Sequence, residues 1–284
     1  TASNFPAAVP SWYFVPALVC GNTVVWKASE AAPRTARALA EMVHAAGVPA
    51  QALHLVLADG DETRAGLETA LEAGFVQKIG FTGSSAVGRE ISTLAGRHLQ
   101  RPTLELGGKN PMVVTSSADL DLAVEGALFS GFGTAGQRCT SLGSVIIEST
   151  VRARFADALL QRLDEARIGD PTKEVLCGPM INSRTMEHFL AQLDELIEPH
   201  HIVRTKRGRI TDENPRESFV GEWGSGLFVH PVVVENVRVS DRIANVETFG
   251  PVVNIIEVPD IRHALAASTA HPSGLSAAIY TNDA

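Results

Sequence analysis

The chain is poor in cysteine, with three in 284 residues: Cys20, Cys139 and Cys177. An odd number without a Cys-x-x-Cys pair does not read as a disulfide framework, and a reducing, cytoplasmic setting is the simpler expectation. The nine histidines include the neighbours His200 and His201 but no His-x-x-x-His or His-Glu-x-x-His spacing, so no metal site is expected. No uninterrupted apolar run reaches about 18 residues, so no membrane helix is expected in these residues, and no basic stretch leads into an apolar one. Positive charge is in the minority. With 24 Lys and Arg against 32 Asp and Glu the net charge is −8, which argues against a nucleic-acid binder. The 45% of hydrophobic and 20% of charged residues are ordinary for a globular chain, and the length suits about two domains.

Short apolar runs alternate with helical stretches. Residues 23–27, 53–57 and 78–82 read as strands, and residues 34–46, 63–73 and 84–94 as helices, with Gly47 and Gly74 as stop signals for the first two. That rhythm implies right-handed crossovers and a Rossmann-like parallel sheet in an α/β fold. A second α/β set begins at residues 111–115, followed by helices over 119–129 and 151–167. The boundary is placed near Leu106, giving a partial cofactor-binding domain over 1–106 and a nucleophile-bearing domain over 107–284.

Two short segments suggest chemistry. Cys139 follows Gly131, Gly133 and Gly136, small residues that let a substrate carbon approach a thiolate. Glu105 lies between Leu104 and Leu106 and is expected to be only partly solvated, a condition that suits a general base. A lone cysteine is more often a packing residue than a nucleophile, so the pair gains weight only from its company. Gly83 and Gly88 flank a strand-to-helix turn whose N–H groups and dipole could meet a pyrophosphate. That loop departs from the Gly-x-Gly-x-x-Gly fingerprint of the commonest dinucleotide folds.

Leu104-Glu105-Leu106-Gly107-Gly108-Lys109 and Gly136-Gln137-Arg138-Cys139 resemble the base and nucleophile segments of the aldehyde dehydrogenase superfamily. Asn4-Phe5-Pro6, Lys27-Ala28-Ser29-Glu30, Phe81-Thr82-Gly83-Ser84 through Gly88, and Glu247-Thr248-Phe249-Gly250-Pro251 resemble four further motifs of that family, in its order. Gly274-Leu275-Ser276-Ala277 continues the likeness, which covers nearly the whole chain. The resemblance implies an aldehyde dehydrogenase-like fold, Cys139 as nucleophile, Glu105 as base and Asn4 as oxyanion donor. It implies cofactor contacts at Lys27, Glu30, Gly83, Ser84, Val87, Gly88, Leu106, Glu247 and Phe249. It further implies a small aldehyde substrate and, for the whole parent, a homo-oligomer.

A carboxylate at Glu30 accepts from ribose hydroxyls but repels a 2′-phosphate, which favours NAD over NADP. The run from Gly133 to Thr140 most resembles the branch that oxidises amino-acid semialdehydes such as α-aminoadipic semialdehyde. Ser3 stands where the family commonly has an aromatic and Ala28 where it has proline. The chain begins at Thr1, three residues before Asn4, and family members carry segments beyond both ends. A truncated, non-catalytic fragment that retains cofactor binding is therefore the alternative. A cysteine hydrolase is third, because no histidine stands in a motif suited to serve Cys139. The presence of Glu105 disfavours a CoA-acylating variant. Arg138 could favour the thiolate, Cys20 and Cys177 read as packing or loop thiols, and the charged stretch from Arg204 to Glu217 as a solvated loop or hairpin.

Overall fold

The computed structural model describes residues 1–196, 200–271 and 274–283. The chain divides into two compact units, Thr1–Leu106 and Gly107–Ala284.

The first unit runs α1 (Ala8–Val19), β1 (Val24–Lys27), α2 (Pro33–Ala45), β2 (Leu53–Val56), α3 (Gly60–Glu72), β3 (Gly80–Thr82), α4 (Ser85–Arg97) and β4 (Thr103–Glu105). Its strands pair in parallel, β1 with β2 and β3 with β4, as two separate ladders. Local chemistry explains the helix starts. Pro33 stands at the first position of α2, Asp59 and Glu62 form a reciprocal capping box on α3, and Ser84 Oγ accepts from the Val87 amide to cap α4. Helix α1 has none of these signals and contains Pro16, yet it forms because Val9, Pro10 and Phe14 are buried. Phe14 packs on Trp26 of β1 with ring centroids 5.4 Å apart.

The second unit runs β5 (Asn110–Val114), α5 (Leu120–Phe132), β6 (Leu142–Glu148), α6 (Ser149–Glu165), β7 (Ile168–Gly169), α7 (Ser183–Asp194), β8 (Ile202–Val203), β9 (Phe219–Val220), β10 (Val232–Glu235), α8 (Arg242–Asn245), β11 (Val252–Val258), α9 (Ile261–Thr269) and β12 (Ala278–Tyr280). A six-stranded sheet has the order β12-β5-β6-β11-β10-β8, parallel except at the β10–β8 edge. Successive side chains alternate between its faces. Val113, Ile146, Val232 and Ile256 belong to one core, whereas Met112, Val145, Val233 and Ile255 belong to another with α5 and α6. Both faces are thus covered, which explains why these strands read as continuous apolar runs.

The stretch from Arg204 to Glu217 is largely loop. Asn214 Nδ2 donates to the Arg207 and Arg209 carbonyls, and the Arg204 guanidinium pairs with Glu235.

Candidate active site

In the second unit the entry to β6 is a strained turn. Thr134 and Ala135 have φ of +57° and +53°, in the left-handed region that costs L-residues roughly 1–3 kcal/mol each. Gly136, at φ +66°, follows with its α-carbon against the Gly250 carbonyl, where a Cβ would overlap. Gly131, Gly133 and Gly136 have Gly-x-Gly-x-x-Gly spacing, but Gly131 lies in the last turn of helix α5 and the other two follow that helix rather than a strand, so they do not form a dinucleotide turn.

Two buried amides hold this turn. Asn110, the first residue of β5, donates through Nδ2 to the carbonyls of Cys139 (2.8 Å) and Ser141 (2.9 Å). Its Oδ1 accepts from the Leu275 and Ser276 amides at 3.0 and 2.9 Å, so one side chain ties the entries of β5, β6 and β12. Gln137 donates to the Thr134 and Pro179 carbonyls, and its Oε1 accepts from the Ile181 amide at 2.9 Å. Cys139 is half-buried at the end of this fixed backbone. Neither amide was singled out from the sequence, although each lies inside or beside a motif that was.

The Arg138 guanidinium donates to the Phe129 carbonyl at 2.6 Å and lies 4.6 Å from that ring's centroid. The side chain is therefore engaged with α5. The other cysteines differ from Cys139: Cys20 is exposed, and burial pushes the Cys177 thiol up to about 12.

The entry to β11 carries Glu247 and Phe249, the latter at φ +45°. The Glu247 carboxylate lies against the Gly107 α-carbon, where any Cβ would overlap it, and the Gly108 amide hydrogen-bonds to it. Burial raises the carboxyl to about 7, opposed by the Lys109 charge and the Gly108 bond. Lys109 is 4% exposed, packs its stem on Gly143 and lines a cavity of about 20 Å³ with Asn245 and His271. Its Nζ makes no hydrogen bond among the described residues, and burial pushes it down to about 7 although Glu247 favours the charged form. Gly107, Gly108 and Lys109 thus form a cradle for Glu247, joining one motif to another.

In the first unit Asn4 is half-buried in the turn before α1. Tyr13 of α1 is hydrogen-bonded through its hydroxyl to the Phe81 carbonyl (3.2 Å) and Thr82 Oγ1 (2.9 Å), fixing α1 to the end of β3. There Gly83 donates to the Glu105 carbonyl at 3.1 Å and Gly88 to the Ser84 carbonyl at 2.9 Å. Leu106 packs on Gly88, where a Cβ would stand 2.6 Å from its Cδ2. Lys27 Nζ is 3.1 Å from Glu30 Oε2, and a backbone amide together with Lys27 holds the Glu30 carboxyl below its usual range.

Glu105 is exposed at the end of β4, which corrects the expectation of partial shelter between its leucines. In a strand the flanking residues point to the opposite face and cannot cover the side chain between them.

Across known proteins, the model of the aldehyde dehydrogenase family matches residues 1–284. An alpha-ketoglutaric semialdehyde dehydrogenase of Bacillus subtilis is 36% identical over 99% of this chain, which covers 55% of that protein. The crystal structure of betaine aldehyde dehydrogenase from Staphylococcus aureus in complex with NAD+ is 29% identical and superposes with a TM-score of 0.89, over 99% of this chain and 54% of that one. A structure of an Escherichia coli NADP dependent enzyme is 31% identical with a TM-score of 0.88, over 99% of this chain and 55% of the other. The chain spans about half the length of these relatives.

Proposed function

This chain belongs to the aldehyde dehydrogenase family, and on that premise we propose that it carries the chemistry oxidising an aldehyde or semialdehyde to the carboxylic acid. The observation that carries this reading is the strained, doubly anchored turn that presents Cys139 beside the segment bearing Glu247.

Cys139 attacks the aldehyde carbon as thiolate, and the Asn4 side-chain amide and the Cys139 backbone N–H hold the resulting oxyanion. A bound nicotinamide supplies the hydride acceptor. The thioester left on Cys139 is hydrolysed by a water that Glu105 deprotonates, an open position in which a carboxylate can exchange its proton with solvent. The donor and acceptor set fits the cofactor. With a nicotinamide dinucleotide bound, the cradled Glu247 carboxylate would accept from a ribose hydroxyl, strained Phe249 would position the ring, and Lys27 and Glu30 would hold the other ribose. The start of α4, with Gly83, Ser84, Val87 and Gly88 beside Leu106, would hold the phosphates. An ionised Glu30 supports NAD over NADP. The first unit is then the partial cofactor-binding domain, the second the catalytic one, and the parent a cytoplasmic homo-oligomer. Among the described residues no helix is long and apolar enough to cross a membrane.

The test is formation of reduced nicotinamide by the purified chain with NAD or NADP and a panel of aldehydes that includes amino-acid semialdehydes. Turnover that disappears in Cys139→Ala and Glu105→Gln, with each variant still folded, supports the reading. A folded chain without turnover would sink it for this chain and leave a fragment confined to cofactor binding.

A further inference from the structure

Asp241 receives two neighbouring imidazoles on one oxygen. Its Oδ2 lies 3.1 Å from His200 Nε2 and 3.0 Å from His201 Nε2, and it accepts from the Arg238 amide at 2.7 Å. Consecutive residues of a strand point to opposite faces, but these histidines lie in the turn before β8. Their rings stand 4.7 Å apart at an interplanar angle of 49°, and both Nε2 atoms converge on the same carboxylate. Asn236 Nδ2 donates to the His200 carbonyl at 2.7 Å and fixes the turn. His201 is buried, and His200 and Asp241 are half-buried.

The spacing matches a metal's coordination shell. Ligands at 2.0–2.1 Å on a tetrahedral ion stand about 3.3 Å from one another. One ligand atom from each of the three residues lies within 4.8 Å of the others, and the two imidazole-to-carboxylate separations are within a few tenths of an ångström of that edge. A second observation points the same way. His201, Asp241, Glu195 and Gln192 line a cavity of about 90 Å³. Gln192 is 5% exposed and among the described residues its Oε1 has no hydrogen-bond partner, while its amide nitrogen is engaged by His188 Nε2 at 2.7 Å and the Glu247 carbonyl at 3.3 Å. A buried, unsatisfied acceptor is costly. A metal-bound water in this cavity is the kind of donor it lacks.

Two imidazoles and a carboxylate without sulfur suit a borderline divalent transition ion. Calcium and magnesium require oxygen-rich shells, and copper(I) prefers sulfur.

We propose that His200, His201 and Asp241 form a three-ligand site for a divalent transition cation of the zinc class, with its fourth position toward the cavity lined by Gln192. Bound there, the ion clamps the turn before β8 to the loop before α8, six residues ahead of Glu247. The site is independent of the aldehyde-oxidising reading and no step of that chemistry passes through it.

Cobalt(II) titration of the purified full chain tests the site. One equivalent is expected to give the visible bands of a tetrahedral ion without thiolate-to-cobalt charge transfer, and the metal-edge fine structure of the wild type to show imidazole scattering with no sulfur. Removing an outer-shell partner of a metal typically costs about 10–100-fold, so losing a ligand in Asp241→Asn or His200→Gln is expected to weaken binding at least about 100-fold. Zinc should raise the Tm of the wild type and not of either variant. An octahedral or sulfur-containing spectrum, the absence of binding, or equal affinity in folded variants would overturn the proposal. If a variant does not fold, the wild-type fine structure decides alone.

Discussion

The two units use opposite ends of their parallel strands. In Thr1–Leu106, Lys27 closes β1, Gly83 and Ser84 follow β3, and Glu105 closes β4, so the candidate residues gather at carboxyl ends. In Gly107–Ala284, Lys109 precedes β5, Cys139 precedes β6, Phe249 precedes β11 and Leu275 precedes β12, so they gather at amino ends. Carboxyl ends of an open α/β sheet are where helix N-termini meet ligands. The amino ends of the second sheet present instead the segments that enter adjacent strands, and in the order β12-β5-β6-β11 those segments are neighbours. Solvation differs in the same sense. Glu30 and Glu105 are open to water, whereas Lys109 and Glu247 are desolvated enough to move toward each other in pKa. The first unit offers adaptable surface groups and the second a held constellation.

If the second unit is held, small changes there should cost most. Gly107→Ala sets a methyl group into the Glu247 carboxylate and is expected to reduce turnover by about 100-fold or more, the scale of misplacing a positioned group. A variant that keeps near-normal cofactor affinity and rate would break the cradle. Asn110→Ala removes four hydrogen bonds among three strand entries and should cost about 3 kcal/mol in denaturant unfolding, with faster alkylation of Cys139 as the turn loosens.

Lys109→Met separates charge from packing. The depressed ammonium destabilises the folded wild type below its unfolded value of 10.5, so the stability contributed by Lys109 should rise between about pH 7 and pH 10.5 and be lost as pH falls through 7. Glu247, raised from 4.5 to about 7, acts in the opposite sense, with stability lost as pH climbs through that interval. In Lys109→Met the alkaline rise should vanish, stability at neutral pH should hold or increase by about 1 kcal/mol, and the Glu247 transition should move to higher pH. Unfolding midpoints measured across the pH range would check all three.

The smallest effect is expected in the first unit. Lys27→Met breaks an exposed pair and should change stability by less than about 0.5 kcal/mol, while weakening cofactor binding measured by calorimetry. A large stability loss would mean that this surface is held as firmly as the other.

Much of this was legible in order along the chain. The α/β alternation, the helix that opens after the Gly83-Ser84 turn and the motif positions follow from periodicity and from residue types with fixed local chemistry. Helix α1 was hidden because Pro16 reads as a breaker while the burial of Phe14 is a tertiary fact. The exposure of Glu105 was misread because flanking leucines in sequence are not neighbours in a strand. The direction of Arg138 toward Phe129 was equally unreadable, since a residue beside Cys139 in the chain need not face it.

The sequence by itself determined the order of the motifs and of the strands and helices around them, because backbone periodicity and helix caps depend on residues close in the chain. Only the tertiary structure decided that Asn110 would hold Cys139, that Gly107 would receive Glu247, and that His200, His201 and Asp241 would converge. Those relations join positions brought together by strand order and burial, and parallel pairing places side by side segments that are far apart in sequence.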